Sequence, residues 1–263
     1  MGLNSVIPKL NQIGEIWQRF RMYYVEKLGK RIRISKEVNS MAIVYTKAEL
    51  LDKIDECLSP EKVSVLYAQN FVNYLGITYD TKEKYTEVIA ERLLNNLGAF
   101  EKVGCITRKG SYKIGSHKWK PINPTSPRIE EQIARSMINN TYPYIGKIID
   151  YQTPLKNVRD DTAGKIDLLS WNEQKKCIYI IELKVPKDKE KAKQETLLRC
   201  ILEIETYSRI VDSEKLLADF QLPANTVLRK AVLVYQNSLP HTNIHDANMK
   251  KLMKELKVDL LES

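Results

Sequence analysis

The chain has 263 residues, of which 43% are apolar and 29% are charged, a balance typical of a soluble globular protein. Its four cysteines fall singly, without a C-x-x-C pair, which argues against the disulfide framework of a secreted protein and against a structural zinc site. No apolar run approaches the roughly 18 residues that a membrane span requires. We therefore expect a cytoplasmic protein without a membrane partner.

The net charge of +9 is concentrated in the first half of the chain. Residues 1–125 carry 20 Lys and Arg against 13 Asp and Glu, whereas residues 126–263 carry 22 against 20. A basic segment attached to a nearly neutral one is typical of a protein that binds a polyanion, most commonly nucleic acid. A mildly basic surface also serves solubility, so charge alone leaves both interpretations open.

The first predicted element is an amphipathic helix over residues 8–29, because apolar side chains recur there at steps of three and four. Such a stripe is typical of a helix that packs into a core or against a second copy of the chain. A homodimer is therefore one of the assemblies that the sequence predicts. The stripe consists of Leu10, Ile13, Trp17, Phe20, Tyr24 and Leu28.

Three further helical patterns are followed by a predicted β-hairpin. The helical patterns cover about residues 46–57, 60–75 and 83–97. The pattern then becomes extended, and the turn Arg108-Lys109-Gly110 predicts a hairpin over residues 103–114.

Helices followed by a hairpin with a basic tip resemble a winged-helix DNA-binding domain. The resemblance covers about residues 46–115 and implies that Arg108, Lys109 and Lys113 reach phosphates. The alternative is a small helical domain with one surface hairpin.

Residues 121–127, PINPTSP, contain three prolines in seven residues and predict a domain boundary. We expect a basic, mainly helical, DNA-binding domain over residues 1–120 and a second domain over residues 126–263. In the second domain, Ser126-Pro127 predicts the start of a helix over residues 127–140. The later patterns predict an α-β-β-β-α-β-α order, which is typical of an α/β domain with a mixed sheet. Strands are expected at about 147–152, 165–171, 177–185 and 231–235, and helices at about 188–211 and 245–257.

The strand pattern CIYIIELKV, residues 177–185, carries Glu182 and Lys184 within an apolar run. Residues i and i+2 of a strand project from the same face, and both faces here are otherwise apolar, which predicts a central strand. A charged pair at the end of such a strand costs several kcal/mol in desolvation unless an opposite charge or a cation compensates. The alternative is that the pair emerges into solvent. The second Glu-Leu-Lys, at residues 255–257, lies on a helical pattern and predicts no site.

The preceding strand contains one acidic residue, Asp167, in an apolar run. A turn at residues 172–176 predicts an antiparallel hairpin that sets Asp167 beside Glu182. Two adjacent carboxylates repel each other unless a divalent cation lies between them, and oxygen ligands suit Mg²⁺ or Mn²⁺ better than zinc. Together with Lys184 they fit phosphodiester hydrolysis, in which a metal polarises the phosphate and an ammonium group stabilises the transition state.

Asp167, followed after fourteen residues by Glu182-Leu183-Lys184 within an α-β-β-β-α-β order, resembles the PD-(D/E)XK or restriction-endonuclease-like nuclease superfamily. The resemblance covers about residues 126–240. It implies that Asp167 and Glu182 bind the metal together with the backbone carbonyl of Leu183, and that Lys184 positions or activates the attacking water. It also implies a glutamate from the first core helix.

Glu130 matches that glutamate best, and Glu131 is the alternative. Either also fits a first-turn charge that interacts with the helix dipole. One branch of the superfamily places Gln and Tyr four residues apart on the helix after the lysine. Here Glu203 stands where that Gln would be, four residues before Tyr207. Lys165 is either a phosphate contact or a solvated lysine.

The sequence therefore predicts a Mg²⁺- or Mn²⁺-dependent nuclease, a hydrolase that cuts phosphodiester bonds, most commonly in DNA, with a metal-activated water. An endonuclease is the expectation, with exonucleolytic cutting and an RNA substrate open as alternatives. The competing hypothesis is a non-enzymatic DNA-binding or regulatory protein that retains a nuclease-like scaffold. Three costly charges on apolar strands favour the enzyme.

Overall fold

The computed structural model describes residues 44–114, 123, 126, 128–155, 157, 164–186 and 195–263. The helix predicted over residues 8–29 lies outside them. Among the residues that are described, no helix combines the length and the apolar character needed to cross a membrane.

A six-stranded mixed sheet forms the centre of the α/β fold, and its strands follow one another in chain order. The first four strands are joined antiparallel, whereas β4, β5 and β6 run parallel. All eight residues of β4 are buried, which explains why its sequence is apolar on both faces. The strands are β1 (Thr141–Tyr142), β2 (Gly146–Pro154), β3 (Lys165–Asn172), β4 (Cys177–Lys184), β5 (Val227–Val234) and β6 (Val258–Glu262).

The described residues form six α-helices around this sheet, and five of them were predicted. The prediction missed α5, together with the edge strands β1 and β6. The helix predicted from Ser126-Pro127 begins later, at Ile129, with Arg128 as its N-cap. The helices are α1 (Lys47–Cys57), α2 (Tyr85–Leu94), α3 (Ile129–Met137), α4 (Leu197–Ile210), α5 (Ser213–Asp219) and α6 (Ala247–Leu256).

The helix predicted over residues 60–75 is wrong, because the chain there forms only a 3₁₀ helix at Val63–Ala68 followed by turns. The Asn73 side-chain amide donates to the Gln69 carbonyl at 3.2 Å, a local bond that competes with continued helix formation.

The predicted hairpin over residues 103–114 is also wrong. These residues, which we call the strap, pair with no strand, and Ile106 instead forms an isolated bridge with Val211 at the end of α4. Tyr112 is fully buried, and its backbone N–H donates to the Asp219 carboxylate at 2.8 Å. The Thr107 hydroxyl donates to Asp212 at 2.8 Å. The strap therefore packs along α5 instead of forming a wing.

One hydrophobic core joins the two halves of the described chain. Leu50 of α1 and Leu93 of α2 belong to the same buried cluster as Ile180 of β4 and Ile201 of α4. The Thr196 hydroxyl, at the N-cap of α4, donates to the Val72 carbonyl at 2.7 Å. Residues 44–262 form a single compact unit, so the boundary predicted at residues 121–127 does not separate two cores. The DNA-binding role expected of residues 1–120 stays a prediction.

We predict that Leu93→Ala lowers the free energy of unfolding of the whole described unit by about 3 kcal/mol, because the substitution leaves a cavity in the shared core. Hydrogen exchange should show the loss of protection at the amides of β4 as well as in α2. Val65→Ala, at a position 38% exposed, is the control and should cost under about 1 kcal/mol. Unchanged protection of β4 would contradict a common core.

Candidate active site

The register of β3 and β4 places the two predicted acids opposite each other. Leu168 pairs with Ile181, so the next pair along the same antiparallel register is Asp167 with Glu182, on one face of the sheet. The backbone N–H of Leu183 donates to Asp167 Oδ2 at 3.0 Å. The carboxyl group of Asp167 is therefore fixed against the backbone of β4, between the two charged residues of that strand.

Lys184 projects from the same strand as Glu182 and lies among carboxylates. Its Nζ is 2.8 Å from Glu182 Oε1, and both side chains are almost fully buried. The same ammonium lies 3.6 Å from Glu195 Oε2 and 3.8 Å from Glu130 Oε1. The pair does not emerge into solvent, and three carboxylates compensate the buried charge.

The first turn of α3 distinguishes the two candidates for the third acid. Glu130 turns towards Lys184, with 22% of its side chain exposed. Glu131 turns towards Arg128, whose Nη1 lies 3.7 Å from Glu131 Oε2. The structure thus brings Glu130, and not Glu131, to the ammonium group.

A residue that the sequence analysis did not find, Gln152 of β2, also reaches the site. Its side-chain amide donates to Asp167 Oδ1 at 2.7 Å. The strand is irregular here: its pairing with β3 shifts between Ile148 and Asp150, and Gln152 has a φ of +52°. Bulges of this kind redirect side chains, and the alternation of the sequence does not reveal them.

The helix α4 contributes a ladder of three side chains that we call the α4 ladder: Arg199, Glu203 and Tyr207. Arg199 Nε donates to Glu203 Oε2 at 3.2 Å, and the Tyr207 hydroxyl donates to Glu203 Oε1 at 2.8 Å. Their spacing of four residues places them along one face of the helix. Sequence analysis noted Glu203 and Tyr207 but missed Arg199, although the same spacing could have found it.

Close packing fixes the position of Tyr207, at the end of the α4 ladder. The Tyr207 ring meets the Tyr67 ring edge to face, with 5.9 Å between their centroids. A Cβ atom at Gly164 would lie 1.8 Å from the Tyr207 hydroxyl oxygen, so glycine is required just before β3. The start of β3, which carries Asp167, therefore sits directly against the α4 ladder.

The acids of the site destabilise one another's charged forms. Burial raises the pKa of Asp167 to about 6; Lys184 and the Leu183 N–H oppose this shift, while Glu130 and Glu203 add to it. Burial, followed by the charges of Asp167 and Glu203, raises the pKa of Glu182 well above its usual range.

The neighbouring acids favour the charged form of the lysine. Burial acts to lower the pKa of Lys184, but Glu182 and Glu130 outweigh it and raise that pKa well above its usual range. The group is therefore an ammonium ion at neutral pH. It can donate hydrogen bonds and stabilise negative charge, but it holds its proton too firmly to act as a base.

The donor atoms at the site fit a hard divalent cation. Asp167 and Glu182 offer adjacent carboxylate oxygens, and their mutual repulsion is what such a cation relieves. In the described ranges, no group of three or more His, Cys, Asp or Glu side chains is arranged as a metal site. Mg²⁺ is commonly held by one or two carboxylates and completed by water and substrate phosphate.

The predicted basic contacts are Lys165 on β3 and three residues of the strap. Lys165 is exposed at the start of β3. In the strap, Arg108 Nε donates to the Ser111 carbonyl at 3.1 Å, and the backbone N–H of Lys109 donates to Asn157 at 2.6 Å. Lys113 Nζ lies 6.0 Å from the centre of the Phe220 ring. Their role in binding nucleic acid stays a prediction, and the wing that was to present three of them is not formed.

No protein-family model matches the chain, and neither a curated protein nor a solved structure matches it. A function of this chain is therefore inferred from the residues of the site alone.

Proposed function

We propose that this protein is a metal-dependent nuclease of the PD-(D/E)XK type, which hydrolyses phosphodiester bonds, most commonly in DNA. One observation carries the proposal: Asp167 and Glu182 face each other on β3 and β4, and the Lys184 ammonium lies 2.8 Å from Glu182. The resemblance implies an α-β-β-β-α-β order. The chain has this order in α3, β2, β3, β4, α4 and β5, with the short strand β1 and the helix α5 inserted between them.

The residues that would hold Mg²⁺ or Mn²⁺ are Asp167, Glu182 and the carbonyl of Leu183, with Glu130 beside them. When bound there, the cation would polarise the phosphate and lower the pKa of a coordinated water. Gln152 and the Leu183 N–H each donate to one oxygen of Asp167, which orients that carboxylate before any ligand arrives. Hydrogen bonds of this kind around a ligating group tune its affinity for metal.

Lys184 would stabilise the negative charge that develops on the phosphate during attack. The pentavalent transition state carries more charge on its oxygens than the diester does, so a fixed ammonium group stabilises it selectively. Because Lys184 keeps its proton on Nζ, the proton of the attacking water leaves by another route, either to solvent or to a carboxylate such as Glu130.

The basic first half of the sequence supports a polyanionic substrate. The site itself is rich in acids, so attraction of DNA would come from the 20 Lys and Arg of residues 1–125 and from the cation. A retained scaffold without activity is the competing hypothesis. It is disfavoured by the cost of burying Glu182 and Lys184, which apolar residues of similar volume would avoid.

The first test is cleavage of labelled DNA in Mg²⁺ or Mn²⁺. Lys184→Met should lower the cleavage rate at least about a hundredfold, because it removes a charge that acts in the transition state. It should leave binding of the same DNA within about threefold of the wild type. Lys257→Met, which changes the exposed lysine of the second Glu-Leu-Lys, is the matched control and should cut at the wild-type rate. Equal cleavage by Lys184→Met would overturn the role of Lys184.

The second test uses stability and pH. The pKa of Asp167 is about 6 in the folded chain, above its ordinary value of 3.8, so folding favours the protonated form. The stability associated with this proton is fully present below about pH 4 and is lost as the pH rises through 6. Without metal, Asp167→Asn should therefore raise the free energy of unfolding at about pH 8 by up to about 3 kcal/mol, and the gain should vanish towards pH 4.

Addition of Mg²⁺ should stabilise the wild type relative to Asp167→Asn. At about pH 8, the cation should raise the melting temperature of the wild type in proportion to the logarithm of its concentration, and should have no effect on Asp167→Asn. Asp52→Asn, on the exposed side of α1, should behave as the wild type under both conditions. An identical response of Asp167→Asn and the wild type to Mg²⁺ would place the cation elsewhere.

A further inference from the structure

Among the residues that the structure describes, the site holds more acidic than basic side chains, and this concerns how it accepts a phosphate. Five carboxylates lie in it: those of Asp167 and Glu182, and those of three residues from the flanking segments, Glu130, Glu195 and Glu203. The buried ammonium of Lys184 already faces three of them. A phosphodiester entering here needs a second cationic group with free donors.

Arg199 is that group. A guanidinium has five N–H donors, and in the part of the chain that the structure describes the single hydrogen bond to this one joins Nε to Glu203 at 3.2 Å. The side chain, which ends in the two Nη atoms, is 23% exposed and so partly accessible to a ligand. The fork that these atoms form matches two oxygens of one phosphate.

The position of Arg199 is fixed before any ligand binds. Glu203 holds Nε through one oxygen, and Tyr207 holds Glu203 through the other. Tyr207 is in turn fixed by Tyr67 and by the close approach of Gly164. A side chain held in this way loses little conformational entropy when a ligand binds, which favours affinity.

Two carboxylates, Glu203 and Glu195, link Arg199 to the reacting groups. Glu203 is close enough to Asp167 and Glu182 to raise the pKa of both. Glu195 lies 3.6 Å from Lys184 Nζ and also attracts the Arg199 guanidinium. Arg199 therefore stands at the margin of the acidic pair, on the side formed by α4.

We propose that Arg199 is a phosphate-binding residue of this site, which grips a polynucleotide phosphate with its two Nη atoms while Glu203 and Tyr207 hold its Nε. The inference rests on the proposed nuclease function and specifies which phosphate-binding group that function uses. The phosphate is either an internal one next to the scissile bond or a terminal 5′-phosphate. Both present the same oxygens to the guanidinium.

The experiment measures binding of a fluorescently labelled single-stranded DNA oligonucleotide, carrying either a 5′-phosphate or a 5′-hydroxyl, over a range of salt concentrations without Mg²⁺. Arg199→Gln should weaken binding about tenfold or more. The slope of log K against log salt should fall by about 0.7, the effect of one lost phosphate contact on single strands. Arg199→Lys should keep the slope but recover only part of the affinity, because it retains the charge and loses the fork.

The chain supplies a matched control on the same helix. Arg209 also bonds a glutamate four residues away, with its Nε 2.8 Å from Glu205 Oε1, but belongs to a separate ion cluster with Lys230. Arg209→Gln should leave affinity and slope unchanged. Circular dichroism and thermal unfolding of all variants check that they fold.

Different results would overturn the role of Arg199 and the nuclease function. Loss confined to the 5′-phosphorylated oligonucleotide identifies a terminal phosphate, and equal loss with both identifies an internal one. An unchanged slope and affinity in Arg199→Gln overturns the inference, even if the wild type cuts DNA. A wild type that binds DNA through Arg199 but never cuts overturns the nuclease proposal and leaves the phosphate contact standing.

Discussion

The ammonium group of Lys184 lies among three carboxylates, one from its own strand and two from other parts of the chain. Glu182 shares its strand, Glu130 belongs to α3, and Glu195 precedes the N-cap of α4. A buried ammonium without partners would cost several kcal/mol, and so would each of these acids without the lysine. The same charge therefore sets the position of α3 and of the start of α4 against the end of β4. Fold and site depend on a common interaction.

Among the described residues the carboxylates outnumber the cations at this point, and the excess has consequences for both stability and chemistry. Burial and the charges of neighbouring acids raise the pKa of Asp167 and Glu182, so these two acids make the fold less stable at neutral pH than neutral side chains would. A protein selected for stability alone would lose such residues. An electrostatic cost of this kind is typical of groups that are completed by a ligand.

The sequence was most informative where the determining contacts are local. A short turn joins β3 to β4, so the apolar pattern of the two strands was sufficient to pair Asp167 with Glu182. Gln152 could not be found, because an irregularity in β2 sets its direction. The strap was mistaken for a hairpin because its extended pattern is real, but its partners, Asp212 and Asp219, lie more than a hundred residues away. Such pairings leave no local signal.

The shared core is a further example of a long-range determinant. The prolines at residues 121–127 mark a change of composition, and composition alone cannot tell a linker between domains from a connection across one core. The burial of Leu93 and the bond from Thr196 to Val72 decide the matter for the residues described. The first half of the described chain therefore packs against α4, the helix that carries Glu203.

Helix α4 uses one local motif twice, and the comparison shows how surroundings decide its role. Arg199 with Glu203 and Arg209 with Glu205 are both arginine–glutamate pairs four residues apart. Glu205 is fully buried and also bonds Lys230 of β5, so both of its oxygens are taken by cations and the cluster is close to neutral. Glu203 bonds a neutral tyrosine instead and adds its charge to an acidic pair. The Arg209–Glu205 pair therefore fastens the helix to the sheet, whereas the Arg199–Glu203 pair joins a partly exposed guanidinium to the acids of the candidate site.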